Sequence, residues 1–368
     1  MMRLSILFVA YPLLPVTEES AGGAEQVLLT VEREMNAAGH CTSVAAPDGS
    51  RVTGELLATG PPARALDEYE LREREHNARV VDYLQSHPGQ FDLIHDMSGS
   101  FFRHSRECGI PMLTTLHLPR SFYEPTLFEA LAEAPGNSTM NSIFNSPSPG
   151  FFNCVSAAQT QTFAGLPNLI GVVQNGIALE QFPFTRDKGG YVLWLGRICE
   201  EKAPHLAVAV SRCAGVPLVL AGQVYPFRYH LDYFEREVRP YLNGRSQVKL
   251  VDTPLASQKL DLLRHARALL LTSTAEETSS LVAMEAMACG TPVVAFRRGA
   301  FPEIVSHAET GFIVDTVQEM AAALGAIDCI APENCRERVQ RFFSACRMAQ
   351  EYEELYRRVL TSANELAA

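Results

Sequence analysis

The first 172 residues contain no lysine; their basic charge comes from 10 arginines set against 19 acids. The remaining residues hold 21 basic and 23 acidic side chains, so the net charge of −11 sits mostly in the first half. Such a chain lacks the basic face that a nucleic-acid partner needs and is not drawn wholesale to an anionic membrane. No apolar run approaches the roughly 18 residues that cross a bilayer. The nine cysteines include no C-x-x-C pair, which leaves reduced, buried thiols as the expectation rather than a disulfide framework. Also missing are G-x-G-x-x-G, G-x-S-x-G and G-x-x-x-x-G-K, so neither a dinucleotide fingerprint, a nucleophile elbow nor a P-loop is expected. With no H-x-x-x-H pair, no Asp-x-Asp and no cysteine cluster, no metal site is expected either.

What is present is length and alternation. At 368 residues and 47% hydrophobic, the chain suits two domains better than one core. The opening Met1-Met-Arg-Leu-Ser-Ile-Leu-Phe-Val-Ala imitates a signal peptide, but Pro12 and Gly22-Gly23-Ala24-Glu25 follow in place of a cleavage site, and Ile6–Ala10 reads as a buried parallel strand. A cytoplasmic protein is expected, with peripheral membrane contact and oligomeric state left open.

Short β-branched or Leu-rich runs alternate with amphipathic segments, the pattern of βαβ units. In the first half the strands are Ser5–Ala10, Thr42–Ala46, Leu93–His95, Met112–Leu116, Asn153–Val155 and Gly171–Val173, with helices at Glu25–Ala38 and Tyr69–Gln85. In the second they are Tyr191–Leu195, Pro217–Ala221, Val248–Val251, Ala268–Leu271, Val293–Ala295 and Gly311–Val314. The doubling predicts two doubly wound domains, 1–172 and 173–349. Residues 134–150, rich in Asn, Ser and Pro, read as a long loop. The tail from Arg336 to Leu366 carries Phe342, Phe343, Met348, Tyr352, Leu355, Tyr356 and Val359 at helical spacing, a core stripe.

Several strand ends carry chemistry. Glu277-Thr-Ser-Ser-Leu-Val-Ala-Met-Glu285 places two acids around a helix start. There Ser279, Ser280 and Leu281 offer backbone N–H groups that attract an anion such as a pyrophosphate. Glu285, deeper in an apolar helix, is suited to accept from a diol. After Tyr191–Leu195, Gly196 and Arg197 lead to Lys202, cations that suit a diphosphate; surface pairing of Lys202 with Glu200 or Glu201 is the plain alternative. Gly22-Gly23, between the first strand and first helix, and Gly222, ending Pro217–Ala221, are turns that allow close backbone approach or merely bend the chain. Asn175-Gly176 suggests a demanding turn. The aromatic loop from Tyr225 could cover a base or pack locally. His117 and His95-Asp96 follow parallel strands, where open α/β sheets bind ligands.

Together these segments resemble the retaining glycosyltransferases of family 4, with the GT-B fold. The resemblance covers nearly the whole chain and is most specific at Glu285-Ala-Met-Ala-Cys-Gly-Thr-Pro-Val-Val. It implies an α/β architecture of two Rossmann-like, doubly wound parallel-sheet domains facing a central cleft, with helix 350–368 returning to the first. It also implies a nucleoside diphosphate sugar as donor substrate, a hydroxyl acceptor, no cofactor and no metal. Residue by residue, Arg197 and Lys202 would hold the diphosphate, Glu285 the ribose and Glu277 the transferred sugar. His117 would sit beside sugar and phosphate, and Gly22 and Gly23 would approach the donor. The family often has Glu-Gly-Phe-Gly where this chain has Glu277-Thr-Ser-Ser, and an acid where Ala178 stands. The rival readings are a non-catalytic nucleotide-sugar binder and a GT-B epimerase or phosphorylase.

Overall fold

A computed structural model describes residues 3–20, 22–63, 66–123, 150–225, 227–243 and 247–367. Of the loop expected at 134–150, all but residue 150 lies outside the described residues. The chain divides into two compact units, Met1–Gly176 with Ala345–Ala368, and Ile177–Ser344.

The first unit is a seven-stranded parallel sheet: β1 (Ser5–Val9), β2 (Cys41–Ala46), β3 (Glu55–Ala58), β4 (Leu93–Asp96), β5 (Met112–Leu116), β6 (Gly150–Cys154) and β7 (Leu169–Val172), in the order β3-β2-β1-β4-β5-β6-β7. The second has six: β8 (Val192–Leu195), β9 (Leu218–Gly222), β10 (Val248–Asp252), β11 (Ala268–Leu271), β12 (Val293–Phe296) and β13 (Gly311–Val314), in the order β10-β9-β8-β11-β12-β13. Both orders start at one strand, run outward one way, then restart beside it. Each unit therefore has a topological switch point, β1/β4 in one and β8/β11 in the other, where the loops at the strand carboxyl ends part.

All twelve expected strands form. The addition is β3, an edge strand of four half-exposed or exposed residues, Glu-Leu-Leu-Ala, too short and too poor in β-branched residues to stand out from a loop. The central strands are mostly apolar because both faces are covered: β4, β5, β6, β11 and β12 are buried along their whole length, with His95, Asp96, Thr114, Thr115 and Asn153 the polar exceptions. One core gathers Leu7, Val9, Ile94, Phe102 and Phe152; the other gathers Trp194, Leu269, Val294, Met287 and Phe301.

The tail forms two helices, Pro332–Phe342 and Ala345–Ala367. Phe342 departs from the expected stripe and is 40% exposed, while Phe343, Met348, Tyr352, Tyr356 and Val359 are buried. The second helix belongs to the first unit. Arg347 donates to the carbonyls of Gln174 and Asn175, and the Gly176 N–H donates to Met348 Sδ at 3.1 Å. These bonds move the unit boundary to Gly176, four residues beyond the sequence expectation, and bring the chain back at Ala345. Gly176 has no positive φ, so the Asn175-Gly176 turn is not the demanding one expected.

Polar side chains complete this docking inside the first unit. Thr115 Oγ1 donates to Asn153 Oδ1 at 2.8 Å, so it accepts from His95 Nε2 at 2.8 Å, and His95 Nδ1 accepts from the Tyr356 hydroxyl at 2.7 Å. That network assigns the neutral tautomer. Burial, with His117 nearby, holds the His95 pKa well below its usual range. His40 works alike: Nδ1 accepts from Leu4 N at 3.1 Å, and Nε2 donates to Glu353 at 3.2 Å.

All nine cysteines are unpaired. Cys154, Cys199, Cys289 and Cys335 are buried as expected, but Cys41, Cys213, Cys329 and Cys346 are exposed.

Candidate functional site

At the β8/β11 switch point the strand ends are tied together by short polar side chains. Thr272 Oγ1 donates to the Ala203 carbonyl at 2.9 Å and the Thr274 N–H to the Glu201 carbonyl at 2.9 Å, with Ser273 Oγ 2.9 Å from the same Glu201 oxygen. The loop after β8 is thereby fixed against the loop after β11. Ala203 is left-handed at φ 49°, ψ 52°, a strained state for a non-glycine residue that the surrounding bonds must hold. It opens the Pro204–Ala214 helix, with Pro204 suited to the first turn.

Held this way, Lys202 reaches Glu277. Its Nζ lies 2.6 and 2.8 Å from the two carboxylate oxygens, and Ser273 Oγ donates to Glu277 Oε1 at 2.6 Å. Lys202 thus pairs across the site, not with Glu200 or Glu201 on the surface. The backbone of Glu277 is gripped from a third loop. Ala300 N–H donates to its carbonyl at 2.7 Å, and a side chain at Gly299, φ +47°, would meet that oxygen at 2.1 Å. Only glycine fits that contact.

Arg197, the other expected cation, is 43% exposed at its side chain, 3.7 Å from Glu201 and 5.8 Å above the Tyr225 ring. It is the more loosely held of the two. Gly222 has φ +148°, and a Cβ there would lie 1.8 Å from the Gly196 carbonyl oxygen, so its role in the structure is to let the ends of β8 and β9 press together.

The Leu281–Ala288 helix starts beyond these loops. Ser280 is its N-cap and accepts from Ala283 N at 3.3 Å. The Ser280 hydroxyl thereby satisfies the N–H of the third helical position. The N–H groups of Leu281 and Val282 have no partner among the described residues.

Glu285 is 3% exposed. Its Oε1 accepts from Lys259 Nζ at 2.7 Å, while Oε2 is buried with no hydrogen-bond partner. Lys259, in the Ala256–His265 helix, is the residue that motif reading missed; its setting, Ser-Gln-Lys-Leu, carries no signature.

In the first unit the expected residues are placed differently. Gly22 is the extended N-cap of the Gly23–Ala37 helix, and Glu25 folds back so closely that its Oε2 would lie 1.9 Å from a Cβ on Gly22. Burial pushes the Glu25 carboxyl up to about 7. His117 follows β5 and is buried, which pushes its pKa down to about 4. Asp96 is used internally: it accepts from Ser98 N and Oγ at 2.9 and 2.6 Å, Gly99 N at 3.1 Å, Phe102 N at 3.1 Å and Thr114 Oγ1 at 3.2 Å. Burial still raises it to about 6. His95 and Asp96 are thereby structural, against the reading that set them beside a ligand.

Known proteins can be set against this geometry. The family profile described as Glycosyl transferases group 1 matches residues 189–327, the segment that holds Arg197, Lys202, Glu277 and Glu285. Residues 189–327 thus carry a group 1 glycosyltransferase domain. The chain is 26% identical to a D-inositol 3-phosphate glycosyltransferase of Mycobacteroides abscessus, over 77% of this chain and 69% of that one. It is also 26% identical to the putative glycosyltransferase YtcC of Bacillus subtilis, over 47% of this chain and 46% of the relative. The chain thus spans about half the length of some curated relatives that it matches. Among solved structures, sucrose-phosphate synthase of Thermosynechococcus elongatus superposes with a TM-score of 0.76 at 21% identity, covering 98% of this chain and 100% of the other. HepE of Anabaena, solved with UDP and glucose, gives 0.71 at 17% identity, covering 96% and 99%. The chain therefore has the GT-B fold, with two Rossmann-like units.

Proposed function

We propose that this chain transfers a sugar, with retention and without metal, from a nucleoside diphosphate sugar to an acceptor hydroxyl. The observation that carries the reading is Glu285: a buried carboxylate with one oxygen bound to Lys259 and the other unpartnered. A buried acceptor without a donor is costly, and a ribose hydroxyl is a donor of the right kind. The open N–H groups of Leu281 and Val282, with Arg197 and Lys202 nearby in the same strand-end loops, suit a diphosphate. UDP, which HepE binds, is the first donor nucleotide to test.

In the proposed reaction the bond from the sugar anomeric carbon to the diphosphate oxygen breaks, and the acceptor oxygen bonds to that carbon on the same face. The acceptor proton passes to the leaving phosphate. Arg197, Lys202 and the helix start stabilise the charge that grows on the diphosphate. Glu277, held rigidly by Lys202 and Ser273, orients the transferred sugar. His117 is neutral near pH 7, given its pKa of about 4, and contributes a hydrogen bond rather than a charge. Gly22 and Gly23 take the family role of close backbone approach.

A panel of nucleoside diphosphates and their sugars tests the reading by thermal shift, where a ligand at 100 times its Kd adds about 2.7 kcal/mol. Arg197→Ala and Glu277→Ala are expected to cut transfer by about 10²-fold or more while staying folded. Full activity in both folded variants would refute the assignment. Binding without turnover would favour a regulatory binder, and phosphate-dependent product from a glycoside a phosphorylase.

A further inference from the structure

Beside the donor residues lies a cluster that the proposed reaction does not use. The ligand atoms of Cys199, Glu201 and His230 all lie within 4.8 Å of one another. Cys199 and Glu201 sit in the loop after β8, and His230 in the Arg228–Tyr233 helix after β9. His230 is 1% exposed, yet neither ring nitrogen has a hydrogen-bond partner. An imidazole always brings at least one N–H donor, and a neutral one brings an acceptor as well; burying both unused is the kind of exception that calls for a cause.

We propose that Cys199, Glu201 and His230 form a three-ligand site for a divalent cation of the zinc class. Sulfur, nitrogen and one carboxylate oxygen are the donors zinc takes, with a fourth position left for water or another ligand; magnesium and calcium prefer oxygen alone. Bonds of about 2.0–2.3 Å put tetrahedral ligands roughly 3.5 Å apart, so the widest separation here must close by about 1 Å. Glu201, 40% exposed at its side chain, can rotate to supply that movement and gives the cation its way in. On loading, the Cys199 thiol releases its proton to solvent, Glu201 binds as carboxylate and His230 binds through one neutral ring nitrogen. The cluster's charge rises by one. Because Glu201 is also the partner of Arg197 at 3.7 Å, loading frees that guanidinium and adds positive charge beside it. Tighter diphosphate binding follows, a coupling that rests on the donor reading above.

The test uses the full chain, stripped with a chelator and titrated with Co²⁺. One equivalent is expected to give thiolate-to-cobalt charge-transfer absorption in the near ultraviolet, which Zn²⁺ displaces and Cys199→Ser abolishes. His230→Asn and the half-exposed Glu201→Gln, which leaves the core intact, are each expected to weaken binding about tenfold or more. No such absorption in the wild type, its persistence in Cys199→Ser, or unchanged affinity in both other variants would overturn the site. UDP binding, measured with and without Zn²⁺, reads the coupling: severalfold tighter binding in the loaded protein supports it. An unchanged UDP affinity beside intact cobalt spectra overturns the coupling alone, and failure of UDP to bind either form instead counts against the donor reading.

Discussion

The two units share the strand order around their switch points, yet particular polar groups near those points are spent differently. At the carboxyl ends of β4 and β5, His95, Asp96 and Thr115 spend their hydrogen bonds on the fold: on Tyr356, on the Ser98–Phe102 turn and on Asn153. In the second unit the side chains at the ends of β8 and β11 hold one another, while Oε2 of Glu285, in the Leu281–Ala288 helix, and both ring nitrogens of His230, in the Arg228–Tyr233 helix, have no hydrogen-bond partner. The lesson is that position at a strand end does not make a residue functional. What distinguishes a site is polar capacity that the protein itself does not consume.

The contrast can be probed first at its glycines. Gly222→Ala would drive a Cβ to 1.8 Å from a backbone oxygen at a positive φ, and a loss of about 4 kcal/mol is expected from overpacking and strain together. Gly22→Ala meets only the end of the Glu25 side chain, which can swing aside, so a loss of about 1 kcal/mol is expected there. Equal losses in urea titrations would remove the difference in rigidity between the two turns.

Lys259→Ala comes next. It strands the carboxylate of Glu285, and about 3 kcal/mol of stability should go with it, together with most of the affinity for UDP. Calorimetric unfolding and UDP titration measure both; undiminished UDP binding would detach Glu285 from the ligand.

Glu25 gives a pH signature to the first unit. Its folded pKa of about 7 lies above the ordinary 4.5, so the protonated form supplies stability that is complete below pH 4.5 and is lost as pH rises through 7. Glu25→Gln should therefore gain about 3 kcal/mol above pH 7 and nothing below pH 4.5. A flat difference across that range would refute the assignment. His76, lowered by burial to about 4, acts in the other direction, since its stabilisation is lost as pH falls from 6.5 through 4. The smallest effect belongs to Tyr356→Phe. It removes one bond to His95 and should cost about 1 kcal/mol with UDP binding untouched, as measured by urea midpoints and titration.

The sequence made the sheets legible because parallel strands covered on both faces are short apolar runs, and twelve of the thirteen stood out. The edge strand β3 did not, having no buried face to declare it. In the second unit the spacing of Arg197, Lys202, Glu277 and Glu285 pointed to one place, and the fold brings Lys202 and Glu277 into contact there. Lys259 and His230 escaped notice because Glu285, which Lys259 pairs with, and Cys199, which His230 lies near, are 26 and 31 residues away in sequence, a separation that only the fold converts into proximity. His95 and Asp96 misled for the converse reason: their partners include Tyr356 and the Phe102 amide, and no spacing reveals that a polar group is already satisfied.

The second unit is one unbroken stretch, Ile177–Ser344, whereas the first is interrupted by it and completed only by Ala345–Ala367. On the ribosome the order of completion is therefore inverted. The later-made unit has all its strands as soon as residue 344 emerges, while the first-made one must hold β1 to β7 without the helix whose Tyr352 and Tyr356 close over His95 and Thr115. Until then His95 and Thr115 lack those tyrosine partners, so the first-made unit is the last to be completed.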